Sequence, residues 1–382
     1  MSAPRPLRPT LLAPAYWPEV RRGTERVIRL LADGLRDAGH RPRLVTGHPG
    51  ARRAVAEEDG LEVVRLPRPP AVRAAVSRGR IDEHAAHLPG VVAELVRDPG
   101  DVLHALYPTD AVAAALARRA HRLRGRRVPL VVSNMGPPDR RWARERRGRT
   151  TGLVTVARRA DAVTTLSAFA RDRVRAELAV DSLVVAPPVD LDAFAPPADD
   201  VRHAAPTILF ASAPESDAKR LPLLLEAVAL LRDRDPAVRL VAQAPRDPAA
   251  RRALDAQPGV ATVDLDDHAA LREAYGRAWV TALPSRDEAF GLVVAESLAC
   301  GTPAVACAGE GPAEIVVDDG VGRIAAAATP QALADALCGA LRLAGEAGVR
   351  ACCRAAVRDL GVDAHAARWL ALYERLLADA AR

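Results

Sequence analysis

The chain has almost no lysine. Of its 54 basic residues, 53 are arginines and Lys219 is the only lysine. A composition so biased towards arginine reads as drift under codon pressure and resembles that of proteins from GC-rich bacteria. A lysine that survives such drift suggests a chemical need for a compact ammonium, with a codon left by chance as the plain alternative. Aromatic residues are also scarce, at 3%. Nucleic-acid binders interleave basic residues with aromatic platforms, and no helix-turn-helix, finger or RNP pattern is present. The net charge of +6 and pI near 9.5 therefore suit other polyanions, such as nucleotide diphosphates or anionic membranes, rather than nucleic acid. The five cysteines form no C-x-x-C pair, which suggests reduced thiols and a cytoplasmic location. Residues 7–15 are too short and too broken by proline for a signal peptide or a membrane span.

What remains describes a water-soluble α/β chain. At 382 residues it exceeds what one core usually supports, so two domains are expected. Hydrophobic residues make up 49% and charged residues 27%. The first half alternates strands and helices, the pattern of a doubly wound domain. Strands are expected at residues 11–13, 43–46, 61–66, 101–104, 128–133 and 162–166, with a helix capped by Thr24 and ended by Gly39. Prolines 187, 188, 196, 197 and 206 mark a loop, and a second α/β domain starts near Thr207. Its strands are expected at 207–211, 238–242, 261–264, 280–283 and 303–307. The last helix, about 363–380, is amphipathic through Trp369, Leu370, Tyr373, Leu376 and Leu377.

The most informative stretch is Pro284-Ser285-Arg286-Asp287-Glu288-Ala289-Phe290-Gly291-Leu292-Val293-Val294-Ala295-Glu296. It follows an apolar strand, opens a helix that closes at Ala299-Cys300-Gly301, and leads into another strand. In such a unit ligands sit at the strand's carboxyl end, against the helix N-terminus. Lys219 lies at a comparable junction, after the strand from Thr207 and before a helix whose Leu224, Leu225, Val228 and Leu231 form one apolar stripe.

This passage resembles the nucleotide-sugar site of retaining glycosyltransferases with the GT-B fold, the family 4 or group 1 type. The family's E-x7-E signature falls on Glu288 and Glu296, and the flanking Pro-Ser and Ala-Cys-Gly-Thr-Pro also match. The resemblance implies two Rossmann-like doubly wound domains facing a cleft. An acceptor-binding domain would span 1–188, a linker 189–206 and a nucleotide-sugar domain 207–362. A C-terminal helix, 363–382, would cross back to the first domain. It implies an enzyme that moves a sugar, from a UDP-sugar by default, to a hydroxyl of a specialised metabolite, lipid or polysaccharide. Configuration would be retained by front-face attack, with the leaving phosphate taking the acceptor's proton. A nucleotide-sugar 2-epimerase and a non-catalytic nucleotide-sugar-binding protein are the alternatives.

The roles implied are these. Glu288 contacts the donor sugar near its anomeric carbon, and Lys219 holds the diphosphate. Gly23 lets backbone N–H groups approach an anion at a helix N-terminus. Gly291, Leu292 and Val293 offer further N–H groups, and Glu296 accepts hydrogen bonds from the ribose. No cofactor or obligatory metal is implied; Asp264-Leu265-Asp266 looks like a metal-binding D-x-D but reads as loop capping.

Three departures from the family pattern stand out. Ser212-Ala213 replaces the usual Gly-Arg, for which Arg220 or Arg22 would substitute. Met135-Gly136 replaces His-Gly, with Asn134 taking part of the histidine's role. Gly309-Glu310-Gly311 replaces Gly-Gly. His104, ending a strand, is a candidate acceptor contact or a core residue. His84-x-x-His87 lacks a third ligand and reads as a surface helix rather than half a metal site. The basic run 140–149, with Trp142, is either a solvated segment or a peripheral membrane contact.

Overall fold

The computed structural model describes residues 5–20, 23–68, 87–136, 154–198 and 201–382. The chain divides into two units, Met1–Pro188 with Val362–Arg382, and Val189–Gly361. Each is built on one largely parallel sheet.

In the first unit the strands are β1 (Pro9–Ala13), β2 (Arg43–His48), β3 (Ala54–Glu58), β4 (Leu61–Pro67), β5 (Val102–Ala105), β6 (Leu130–Asn134), β7 (Ala162–Thr165) and β8 (Leu183–Val184). They lie in the order β3-β4-β2-β1-β5-β6-β7-β8, and only β3 runs antiparallel to its neighbour. Strand alternation feeds two cores, one on each face. Leu11, Leu44, Val63, Val102 and Val131 point to one side. Leu12, Val45, Val64, Leu103 and Val132 point to the other. The first core is covered by α1 (Gly23–Asp37), through Ile28, Leu31 and Leu35, and by the C-terminal helix Val362–Ala381, through Trp369, Leu372, Tyr373 and Leu376. The second is covered by α2 (Leu88–Arg97) and α3 (Pro108–Leu123). A further helix, α4 (Ala168–Leu178), starts at Ser167, whose hydroxyl accepts from the Ala170 N–H at 3.0 Å.

The second unit carries β9 (Thr207–Phe210), β10 (Arg239–Gln243), β11 (Val260–Val263), β12 (Val280–Leu283), β13 (Ala304–Cys307) and β14 (Gly322–Ala325). Their order is β11-β10-β9-β12-β13-β14, all parallel. Its helices are α5 (Leu221–Arg232), α6 (Pro248–Asp255), α7 (His268–Arg277), α8 (Leu292–Ala299), α9 (Pro330–Ala344) and α10 (Val349–Ala356). Residues expected as a linker pack with this unit instead: Val189 bridges Gly361, and the buried Phe194 ring stands edge-on to Tyr275 at 6.0 Å. In both sheets the chain winds outwards from a central strand and then crosses to its other side. The order therefore reverses between β1 and β5, and again between β9 and β12, and these are the points where doubly wound folds bind ligands.

The first core contains a polar chain. His104 on β5 is wholly buried. Its Nδ1 lies 2.7 Å from the Tyr373 hydroxyl and its Nε2 2.7 Å from the Ser133 hydroxyl, which in turn sits 2.7 Å from the Thr164 hydroxyl. One turn before Trp369, His365 lies 2.8 Å from the Ala186 carbonyl through Nδ1, and its Nε2 accepts from the Trp369 indole N–H at 2.9 Å. That arrangement requires the neutral imidazole protonated on Nδ1. Burial pushes the His104 pKa down to about 3, helped by His365, and pushes His365 down to about 4.

Because both native histidines resist protonation, the unfolded chain binds more protons below about pH 6.5. Stability should be complete above that value and fall as the pH drops towards 4, by roughly 1.4 kcal/mol per pH unit for each histidine. Urea unfolding at a series of pH values measures the slope. His104→Gln should remove about one proton from it, and an unchanged slope would show that His104 already titrates in the native state.

Candidate active site

β12 is buried along its length and delivers the chain to the ligand edge of the second sheet. The loop that follows takes two left-handed turns, at Asp287 (φ 54°) and Gly291 (φ 95°). At Gly291 a side chain is excluded twice: by φ, and because a Cβ would lie 2.7 Å from Pro312 Cγ. Asp287 bears the strain of a non-glycine residue in that region, a cost of order 1–2 kcal/mol that its surroundings must offset.

Those surroundings come first from the β9 side. The Arg286 N–H donates to the Ala218 carbonyl at 2.7 Å, inside the 3₁₀ turn Asp217–Lys219. Lys219 Nζ then forms an ion pair with Glu288 Oε2, joining residues 69 apart in sequence. Both side chains keep about a quarter of their surface exposed (26% and 21%), so the pair remains open to a ligand. Arg220, also left-handed (φ 53°), starts α5 and sends its guanidinium towards Cys307 and Glu310.

The helix α8 begins immediately after Gly291. The N–H groups of Leu292 and Val293 fall in its first turn, where no carbonyl of the same helix can accept them. These two residues are partly exposed, while 294–299 are buried. The Ser297 hydroxyl fixes the helix to its strand, donating to the Thr302 carbonyl (2.9 Å) and lying 2.7 Å from the Thr281 hydroxyl. Glu296 is 4% exposed and its Oε2 accepts from the buried Tyr275 hydroxyl at 3.0 Å. Burial of Cys300, helped by the Glu296 charge, pushes its thiol up to about 12.

Thus Lys219, Arg220, Glu288, Gly291, Leu292 and Val293 gather at the β9/β12 reversal, and Glu296 lies further along α8. In the first unit Gly23 opens α1 after β1, and Asn134 ends β6, both partly buried. His104 is not available to an acceptor. The alternation of β5 turns it to the same face as Val102, where both its ring nitrogens are taken. Two residues near the β1/β5 reversal were given no role of their own from the sequence: the Tyr107 hydroxyl donates to the buried Glu25 carboxylate at 3.1 Å. Their signal was position alone, Tyr107 just past β5 and Glu25 in the first turn of α1.

His87 is buried rather than on a surface helix, with its Nε2 2.9 Å from Asp110 Oδ1. Asp264 Oδ1 accepts from the Asp266 N–H at 3.0 Å, which makes the D-x-D a loop turn. Among the described residues no cluster of three metal-ligating side chains occurs. Arg22, His84 and the basic run 140–149 lie outside the described residues.

Both units resemble known proteins. The family model for the glycosyl transferase 4-like domain matches residues 22–189, and that for glycosyl transferases group 1 matches residues 205–342. The D-inositol 3-phosphate glycosyltransferase of Xylanimonas cellulosilytica is 36% identical over 254 residues, covering 60% of this chain and 60% of that protein. Its counterpart from Jonesia denitrificans is 35% identical over 218 residues, covering 50% and 51%. The chain thus spans about half to three-fifths of the length of these curated relatives. Among solved structures, the sucrose-phosphate synthase of Thermosynechococcus elongatus superposes with a TM-score of 0.76 at 20% identity, covering 98% of this chain and all of that one (100%). Anabaena HepE in complex with UDP-glucose superposes with a TM-score of 0.71 at 16% identity, covering 98% and 100%. One family model falls on each unit and the fold is shared over nearly the whole chain, so this protein belongs to the group 1 glycosyltransferases and has their GT-B architecture.

Proposed function

We propose that the chain transfers a sugar from a nucleotide diphosphate sugar to a hydroxyl acceptor, with retention at the anomeric carbon. The observation that carries this reading is the meeting of Lys219 and Glu288 beside the open N-terminus of α8. Breaking the bond to the anomeric carbon leaves growing negative charge on the departing phosphate, and the protein must stabilise it. An ammonium has three N–H donors. One serves Glu288 and two remain for phosphate oxygens. The N–H groups of Leu292 and Val293, with the partial positive charge of the helix end, supply the rest. Arg220 adds a second cation, and no metal enters the reading. Glu288 faces the sugar and stabilises positive charge near the anomeric carbon, and Glu296 serves the ribose. The leaving phosphate accepts the acceptor's proton in a front-face attack.

On the acceptor side, the relatives named for D-inositol 3-phosphate make a phosphorylated cyclitol the first candidate, ahead of a specialised metabolite, a lipid or a polysaccharide. UDP is the first nucleotide to try, because the Anabaena neighbour was solved with UDP-glucose. A cytoplasmic site of action suits both substrates.

Thermal shift against UDP-, GDP-, ADP- and dTDP-sugars should single out one nucleotide, since a native-state ligand raises the melting temperature. Formation of a C2 epimer without any acceptor would support the epimerase instead, and tight binding with no product in any acceptor mixture would support a binding protein. Lys219→Ala should weaken binding of the nucleoside diphosphate about tenfold or more by calorimetry, the loss of a charged hydrogen bond worth roughly 1.5–3 kcal/mol. Lys219→Arg should recover only part of it; an affinity equal to the wild type in either variant would refute the clamp. Glu288→Ala should reduce kcat by about 100- to 1000-fold with an unchanged melting temperature. Full activity in that variant would remove Glu288 from the mechanism, and an inverted anomer in the wild-type product, read by NMR, would refute retention.

A further inference from the structure

Glu310 stands where the family pattern has glycine, and its surroundings give that departure a role. Its Oε2 accepts from the Glu288 N–H at 3.1 Å, and the same carboxylate accepts from the Asp287 N–H. The next residue answers from the other side: the Gly311 N–H donates to the Glu288 carbonyl at 3.0 Å. Both peptide groups flanking the Glu288 Cα are therefore held by two consecutive residues of one short loop. The approach is close. A Cβ on Gly311 would lie 2.4 Å from the Ala289 carbonyl oxygen and 2.6 Å from that of Glu288. Pro312 then packs against Gly291, closing the grip at the start of α8.

We propose that Glu310 is a positioning residue for Glu288, its carboxylate clipping the Asp287 and Glu288 N–H groups so that the Glu288 side chain is held at the donor sugar. This rests on the donor-site reading of Glu288. The physical basis is a nest: successive N–H groups beside a left-handed residue converge on one point and bind an anion there. Asp287 supplies the left-handed residue and Glu310 the anion. Burial and the neighbouring Asp287 charge hold the Glu310 carboxyl above its ordinary range, while the two N–H groups and Arg220 pull the other way. A half-buried acid in such a place is stabilised by the bonds it makes to the loop. The clip lies opposite the Lys219 contact, so the segment is pinned from the β9 side by Lys219 and Ala218 and from the β13 side by Glu310 and Gly311.

The test uses Glu310→Ala, Glu310→Gly and Glu310→Gln in the full chain, with two readouts. Hydrogen–deuterium exchange of peptides covering 285–290 should quicken about tenfold or more in the alanine and glycine variants, and stay near wild type in the glutamine variant, which keeps a carbonyl acceptor. Unchanged exchange in Glu310→Ala would overturn the clip. The second readout is turnover of whichever nucleotide sugar most stabilises the wild type in the four-nucleotide panel. Glu310→Ala should lose about tenfold or more in kcat, with the donor KM and the affinity for the bare diphosphate little changed, and Glu310→Gln should recover most of the loss. Faster exchange with full kcat would reduce Glu310 to a structural residue. Tighter diphosphate binding with raised kcat in Glu310→Ala would mean that the carboxylate opposes the donor instead of serving it. If no nucleotide sugar binds the wild type, the donor-site reading and the positioning role fail together, while the exchange readout still decides whether the clip exists.

Discussion

The contact between Lys219 and Glu288 organises the ligand edge of the second unit. It joins the loop after β9 to the loop after β12, which are the two strands on either side of the reversal in sheet order. Without a partner, a carboxylate on a loop with a left-handed residue would sample many positions, and a lysine at the end of a 3₁₀ turn would extend into water. Paired, each limits the other, while both keep enough exposure to meet a third group. The rest of the edge supports this. Arg286 bonds to Ala218, Gly311 bonds to Glu288, and Ser297 locks α8 to the strand that carries the loop.

The position of that edge follows from simple features of the chain. Residues 207–210 and 280–283 are short, uncharged and buried on both faces, so they form central parallel strands. A right-handed connection then carries each strand's carboxyl end to a helix N-terminus on the same edge. Lys219 and Glu288 lie on the loops that join those strands to their helices, and the first turn of α8 follows directly on Gly291. The first unit repeats the scheme, with β1 and β5 at the reversal and α1 and α3 starting on the same side. The wholly buried His104–Tyr373 contact shows how tightly the C-terminal helix belongs to that unit: a polar chain inside a core is stable only when every member has a partner.

Much of this was legible in the sequence, for identifiable reasons. Central strands announce themselves as apolar runs bounded by glycine and proline, and most of their positions agree with expectation. β3 did not, because Ala54–Glu58 is an exposed antiparallel edge with no apolar pattern to find. The role of His104 was left open because a four-residue strand buried on both faces has no polar side to set the phase of its alternation. The stretch from Glu288 to Glu296 was readable because glycine at a helix start and a carboxylate on either side form a local pattern. Glu310 was visible only as a departure. Its partners are backbone N–H groups 22 and 23 residues earlier, and backbone leaves no mark in residue identity.

On the proposed reading, the same geometry gives a reason for a single lysine in a chain whose other basic residues are arginine. Arg286 Nε lies 3.7 Å from Asp287 Oδ2, which leaves Glu288 and Glu310 beside Lys219 and Arg220. On the same reading a diphosphate brought there adds further negative charge, and the cation at 219 would serve Glu288 and the phosphates together. A guanidinium is planar, and its parallel N–H pair matches a single carboxylate so well that Glu288 would occupy it. An ammonium is a compact point charge with three donors arranged about one atom. It can keep one bond to Glu288 while turning the others towards a ligand. On this argument the scarcity of lysine and the geometry of the ion pair are two expressions of one requirement, that the charge at position 219 be shared between a carboxylate and a phosphate.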